Sequence, residues 1–320
     1  MNPIAEGSPP TPGEFGLIRW LRDHAPGHER VIQGIGDDCA ILGTTPAHGV
    51  QVVTTDLLMD GRHFRLDRDG AVAVGYKAMG VNLSDVAAMA ARPVAAFVGV
   101  ALPRDRAAAI AVDLFRGLDE AARSYGVALA GGDTNAWDGP LVVAVTLIGE
   151  AFPPAPIRRS GARPGDAIVV TGPLGGSILG RHLRPRPRIA EAAAIVAAVP
   201  VHAMIDLSDG LASDLRHVLA ESGGLGALLV EESIPIHDDA RALSAIAGRP
   251  AVEHALTDGE DFELCLTLDP ESAARLLRDP PNGTTPALVG TITGEPGLRW
   301  RRRDGRVVPL DLAGFDHLAG

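Results

Sequence analysis

Six short acidic clusters, each set beside Gly, Ser or Thr and spread along the whole chain, constrain what this sequence can fold into more than any other feature. They read Gly36-Asp37-Asp38, Thr54-Thr55-Asp56, Asn82-Leu83-Ser84-Asp85, Gly131-Gly132-Asp133-Thr134, Asp206-Leu207-Ser208-Asp209-Gly210 and Asp258-Gly259-Glu260-Asp261. Two bare carboxylates about 4 Å apart repel by roughly 4 kcal/mol at an effective dielectric of about 20, so a fold that gathers several needs cations to neutralise them. Hard oxygen donors select Mg2+ or Ca2+, and Mg2+ shares its shell with substrate phosphates, which favours a nucleotide site built around Mg2+. Any one cluster also serves turns and helix N-caps. Asp209, just ahead of the helical pattern Leu211, Leu215, Val218 and Leu219, fits a cap as well as a ligand. Asp85 is different: Asn82, Ser84 and Asp85 interrupt an apolar helical run from Ala71 to Ala91, where no cap is needed and an unpaired buried carboxylate is costly.

A chain of 320 residues exceeds the usual single core, so two domains are expected, 14–150 and 151–320, after a flexible start at 1–13. A formal net charge of −11 argues against non-specific nucleic-acid binding and against attraction to an anionic membrane, but not against ATP arriving with Mg2+. The first thirteen residues lack the basic start and apolar core of a signal peptide, and the Ala71–Ala91 run is broken by Lys77, Asn82 and Asp85, so a cytoplasmic protein is expected. Cys39 and Cys265 stand apart with no metal-ligand spacing and read as small buried hydrophobes. Lys77 is the only lysine and reads as a surface side chain snorkelling from its helix.

The patterning alternates helices and strands, an α/β chain of two domains. A helix is expected over Gly16–His24, a strand over Gln51–Thr55 delivering Asp56, a strand over Val94–Leu102 and a helix from Arg104 to Tyr125. Val127–Ala130 and Leu141–Ile148 read as strands on either side of the Gly131 cluster. Pro153, Pro154 and Pro156 mark a linker. Beyond it, strands are expected near 167–171, 203–207, 227–230, 262–268 and 287–292, with helices near 189–198, 209–222 and 270–277. The turn Gly172–Ser177 suits either a phosphate cradle of backbone N–H groups or a plain helix opening. No Walker-type P-loop occurs, and neither the His-Arg-Asp nor the Asp-Phe-Gly signature of protein kinases is present.

Taken together, Gly13-Glu14-Phe15, Gly34-Ile35-Gly36-Asp37-Asp38-Cys39-Ala40, Thr54-Thr55-Asp56, Gly61-Arg62-His63-Phe64, the Asn82–Met89 segment and Gly131–Thr134 resemble the thiamine-monophosphate kinases in order and spacing. The resemblance continues through Arg159–Asp166, Asp206–Leu211, Gly259–Leu264 and the Gly314-Phe315-Asp316-His317 tail. Single motifs are shared with the wider ATP-using superfamily of aminoimidazole ribonucleotide synthetase and selenophosphate synthetase. The resemblance implies ATP-dependent phosphorylation of thiamine monophosphate to thiamine diphosphate by direct in-line transfer. It implies that Asp38, Thr54, Thr55, Asp56, Asp85, Asp133, Asp206 and Asp209 hold several Mg2+ ions, and that Gly132, Asp133, Arg159 and Ser208 touch ATP. It further implies that His63, Glu260 and Phe315 contact the thiamine substrate, and that the N-terminal sheets of two subunits join in a homodimer. An ionised phosphate acceptor needs no strong general base, which suits a site of carboxylates without a nucleophile or acid-base residue. Glu260 suits the cationic thiazolium as counter-charge, with Phe315 or Trp300 as an aromatic face.

Three departures from the family stand out: Asp258 replaces the first glycine of a Gly-Gly pair, Arg62 replaces a small apolar residue, and the segment from Gly176 to Arg188 is short. Selenophosphate synthetase calls for a reactive cysteine near the start, whereas Cys39 lies inside an acidic motif; the hydrogenase-maturation relative calls for a C-terminal cysteine where this sequence has Leu318-Ala319-Gly320. A two-metal phosphohydrolase or a Mg-nucleotide sensor would use similar carboxylates.

Overall fold

The computed structural model describes residues 22, 31–34, 36–43, 50–152, 155–281 and 283–312. The expected helix over 16–24, the linker residues Pro153 and Pro154, and the motifs at 13–15 and 314–317 lie essentially outside these residues. Strands β1 (Val31–Gln33), β2 (Ala40–Gly43), β3 (Val50–Met59), β4 (Ala91–Pro103), β5 (Ala128–Trp137) and β6 (Val142–Ala151) form a six-stranded sheet in the order β1-β2-β3-β6-β4-β5. Only β4 and β5 run parallel in it. A second sheet of seven strands, in the order β13-β12-β9-β11-β7-β10-β8, is built from β7 (Ala167–Val170), β8 (Ala203–Asp206), β9 (Gly226–Val230), β10 (Leu264–Leu268), β11 (Ala287–Thr293), β12 (Gly297–Arg301) and β13 (Val307–Pro309). The architecture is therefore the mixed α/β arrangement the patterning implied.

Helix α1 (Ala71–Ala88) holds the two sheets together. Its sequence is apolar on nearly every side, and a helix of that kind must be covered all round. Val74, Met79, Leu83 and Val86 pack with Val52, Val145 and Leu147 of the first sheet. At its other end, Ala87 and Ala88 join Val169, Met204, Leu264 and Leu266 of the second sheet in one apolar cluster. Helix α2 (Ala107–Ser124) crosses α1 backbone to backbone: a Cβ at Gly75 would stand 2.1 Å from the Leu114 carbonyl oxygen, and one at Gly117 would stand 1.9 Å from that of Val72. Polar residues in the last two turns of α1 are consequently delivered to the junction between the sheets.

Along β3 the side chains alternate, with Val52, Thr54 and Leu58 buried and Thr55, Leu57 and Met59 facing out. Strand β5 departs from expectation. It runs unbroken through Gly131-Gly132-Asp133-Thr134, so this cluster is part of an edge strand rather than a turn. Gly132 permits this, because a Cβ there would lie 2.0 Å from the Val98 carbonyl oxygen of β4. In the second half, α3 (Ile189–Ala198), α4 (Leu211–Glu221), α5 (Asp238–Ala247), α6 (Ala251–Thr257) and α7 (Pro270–Arg278) accompany the sheet. Among the described residues no helix is long and apolar enough to cross a membrane. Both cysteines are buried and unpaired, as expected.

Candidate functional site

Three carboxylates from distant parts of the chain converge at the junction. Asp38 precedes β2, Asp85 projects from the last turn of α1, and Asp206 ends β8; one oxygen from each lies within 4.8 Å of the others. Asp38 is held by a two-pronged ion pair with Arg159, Nε to Oδ2 at 3.0 Å and Nη2 to Oδ1 at 2.9 Å. The Thr54 hydroxyl donates to Asp85 at 2.5 Å, and the Ser84 hydroxyl donates to Asp206 at 2.6 Å. Among the described residues neither Asp85 nor Asp206 has a salt-bridge partner.

The electrostatics follow from that imbalance. Burial pushes the Asp85 carboxyl well above the usual range, and Asp56, Asp206 and Asp38 add to the rise against the Thr54 hydrogen bond. Burial likewise pushes Asp206 up to about 8, with Asp38 adding and Ser84 and Arg159 opposing. Asp37, whose carboxylate accepts the Arg159 backbone N–H at 3.1 Å, is pushed up to about 7 by burial and by Asp38. Hard oxygens crowded together with one guanidinium among them have the chemistry of a divalent-cation site, and the donor set fits Mg2+.

The remaining residues singled out in the sequence fall into three groups. Asp56 adds to the charge at Asp85, and Asp209 follows Asp206 by three residues, its backbone N–H donating to Asp214 at 3.1 Å. Gly210, not Asp209, is the N-cap of α4, and it offers no side-chain cap, so the capping account of Asp209 lapses. Thr55 and Asp133 are not brought to the carboxylate group: Thr55 bonds Thr146 on the outer face of the first sheet, and Asp133 is exposed on edge strand β5, accepting from Thr134 N and Asn135 Nδ2. Gly132 lies in that same strand. The acceptor-side set is divided. Glu260 packs against the Asp206 cluster, its N–H donating to the Ser208 carbonyl at 2.8 Å, and His63 forms the turn after β3, its Nδ1 accepting from Met59 N at 3.0 Å. Phe315 lies outside the described residues.

One expectation needs correction, and two of the alternatives left open are closed. Lys77 is not a surface lysine. Its side chain is fully buried and its ammonium pairs with Glu260 at 2.6 Å, because α1 is covered on all sides and the charge finds its partner inside. Trp300 is buried in the core of the second sheet with the Arg302 guanidinium 4.0 Å over its ring, so it offers no free aromatic face. The glycine-rich turn is not an open phosphate cradle: the N–H of Gly175 donates to both oxygens of Asp261 at 2.9 Å, and that of Gly176 donates to Asp258 at 3.1 Å. The turn leads into a short 3-10 segment, Ser177–Leu179.

Sequence reasoning assigned no role to Ser84, Asp37, Asp214 or His182. Ser84 was signalled, since a hydroxyl inside an apolar helix must find an acceptor. Asp214 lies one helical turn into α4, and burial followed by Asp209 and Asp206 pushes its carboxyl well up. No sequence signal singles out His182, whose partners come from α1 and the Glu260 loop.

As a class, the fold is that of the AIR synthase related proteins, whose N-terminal domain model matches residues 36–151. The chain is 43% identical over 295 residues to the thiamine-monophosphate kinase of Rhodopirellula baltica, spanning 90% of this chain and 92% of that protein. It is 36% identical to the thiamine-monophosphate kinase of Escherichia coli strain K12, over 96% and 98%. The structure of AaThiL complexed with AMPPCP and TMP aligns with a TM-score of 0.82 at 28% identity, over 95% of this chain and 97% of that one. The chain belongs to the thiamine-monophosphate kinase family, and it is a phosphotransferase.

Proposed function

We propose that this protein transfers the terminal phosphoryl group of ATP directly to the phosphate of thiamine monophosphate, giving thiamine diphosphate, with Mg2+ at the carboxylate group. The observation that carries the reading is the meeting of Asp38, Asp85 and Asp206 within 4.8 Å, with, among the described residues, the Arg159 guanidinium paired to Asp38. Asp38, Asp85 and Asp206 would hold the metal, Thr54 orients Asp85, and Asp56 and Asp209 stand around them. When bound, the cation neutralises the negative charge of the nucleotide phosphates and of the transferring group. Arg159 and Ser208 take the nucleotide side, while His63, Glu260 and Phe315 take the acceptor side. The reaction needs positioning and charge balance rather than a base, since the acceptor is already an anion. Gly132 and Asp133 stay assigned to ATP at the edge of the first sheet, while Thr55 on its outer face, and Asp133 likewise, stand apart from the three metal-holding carboxylates.

We read residues 14–150 as the nucleotide and metal unit and 151–320 as the second unit. Leu57, Met59, Phe97 and Trp137 stand exposed on β3, β4 and β5, which supports a homodimer formed through the first sheets. Incubation of the purified protein with ATP, Mg2+ and thiamine monophosphate tests the function. Thiamine diphosphate is the expected product; phosphate release without it would mean a hydrolase, and unaltered ATP would mean a nucleotide sensor.

A further inference from the structure

Lys77 has no exposed surface, yet it sits on an apolar helix where leucine or methionine would pack without desolvating a charge. Its Nζ donates to the His63 carbonyl at 2.6 Å, pairs with Glu260 Oε1 at 2.6 Å and lies 3.1 Å from His182 Nδ1. The other Glu260 oxygen is 3.2 Å from the same His182 nitrogen. Three chain segments from both halves therefore meet on one ammonium: the turn after β3, the 3-10 turn Arg181–Leu183 and the loop between α6 and β10.

The Glu260 backbone is strained. Glu260 and Phe262 adopt φ of 52° and 53°, a left-handed conformation that side-chain-bearing residues rarely take and that persists only where surrounding contacts over-determine it. Those contacts are the Glu260 N–H to the Ser208 carbonyl, the Phe262 N–H to the Leu207 carbonyl and the Lys77 ion pair. Burial raises the Glu260 carboxyl, but the hydrogen bonds and charges of His182 and Lys77 outweigh it, so it stays ionised and bound. A carboxylate already paired with an ammonium is a poor free counter-charge for a cationic ligand; its side chain, 30% exposed, is instead held at a set position at the junction.

We propose that Lys77 is the positioning residue of the acceptor pocket, locking His63 and Glu260 into one geometry across the junction of the two sheets. The inference rests on the reading that His63 and Glu260 face the acceptor. Lys77 acts through those two residues and does not itself carry phosphate.

Because Lys77 is the only lysine, protein grown on 13C,15N-lysine carries one labelled side chain. Titration with thiamine monophosphate and Mg2+ is expected to shift its Cε and Nζ resonances, whereas a non-hydrolysable ATP analogue with Mg2+ leaves them in place. A shift with the nucleotide alone, or none at acceptor concentrations where calorimetry records binding, overturns the proposal. If calorimetry records no acceptor binding, the functional reading itself fails, and the positioning role with it. The second arm is the Lys77→Met/Glu260→Gln double variant, which removes the buried ammonium and its carboxylate partner together. Its KM for the acceptor should rise about tenfold with the ATP KM within about twofold of the parent. An unchanged acceptor KM in that folded variant would reduce Lys77 to a packing role.

Discussion

The Ser84 hydroxyl donates a 2.6 Å hydrogen bond to Asp206 across 122 residues of chain, joining the last turns of α1 to the end of β8. The next residue, Asp85, takes the Thr54 hydroxyl from β3. Adjacent positions on one helix thus reach opposite sheets, and the carboxylate group exists only where both connections hold.

Removing the first of them should loosen one side of the site. Ser84→Ala deletes a hydrogen bond to an ionisable group, and a loss of about 1–3 kcal/mol in folding stability is expected by chemical denaturation. The Mg2+ concentration needed for half-maximal activity should rise with it. An unaltered Mg2+ titration would show that Ser84 steadies the fold without orienting Asp206.

Asp85→Asn keeps the size of the side chain and removes its charge. Turnover should fall by about a hundredfold or more, the scale seen when one electrostatic contact to a transition state is lost. The metal-free protein should melt higher than the parent, since an amide at this position escapes the burial cost of a carboxylate and the added repulsion of Asp56, Asp206 and Asp38. Near-parental turnover would return Asp85 to a packing role. Activity of the parent should vanish with a chelator and return with Mg2+ or Mn2+.

Burial of carboxylates, with their mutual repulsion added, sets the pH dependence. Asp37 and Asp261 are raised to about 7, and Asp206 to about 8, from an ordinary value of 3.8, chiefly by burial. In the folded state these groups hold protons that the unfolded chain has already released, so stability is fullest in acid and is lost as pH rises through those values. With chelator present, Tm should drop by about 5 °C or more between about pH 6 and about pH 8.5, a window above ordinary carboxylate titration. Added Mg2+ should restore more of the Tm at the upper end, because protons compete with the cation. A metal-free Tm that climbs over this window would contradict the charge arrangement.

Much of this was legible in the sequence because it depends on local pattern. The α1 run, the helix at Ile189–Ala198 and the strand ending in Asp206 appear where periodicity puts them, and the polar interruptions at Ser84 and Asp85 marked a site. What stayed hidden depends on distant partners. Nothing near Lys77 in sequence reveals that Glu260 lies against it, and an exposed lysine has the same local signature as a buried one. The Gly131 cluster read as a turn because Gly and Asp favour turns, whereas the close approach of β4 to Gly132 makes glycine a strand requirement there. The Gly172–Ser177 turn had free N–H groups only so long as the carboxylates of Asp258 and Asp261 were unplaced.

Asp258 supplies the last prediction. By the family resemblance it takes the place of the first glycine of a Gly-Gly pair, which adds a charge beside Glu260. The structure gives the carboxylate three partners: the Gly176 N–H at 3.1 Å, Arg249 Nη1 at 3.2 Å and His254 Nδ1 at 2.9 Å. Its side chain is only 12% exposed, so it braces α6 against the glycine turn rather than facing a ligand. Asp258→Gly should therefore cost roughly 1–3 kcal/mol in denaturation, below the figure for a fully buried pair because Arg249 keeps contact with solvent. The KM values for ATP and for thiamine monophosphate should both stay within about twofold of the parent. A drop in the acceptor KM with unchanged stability would mean that Asp258 faces the pocket after all.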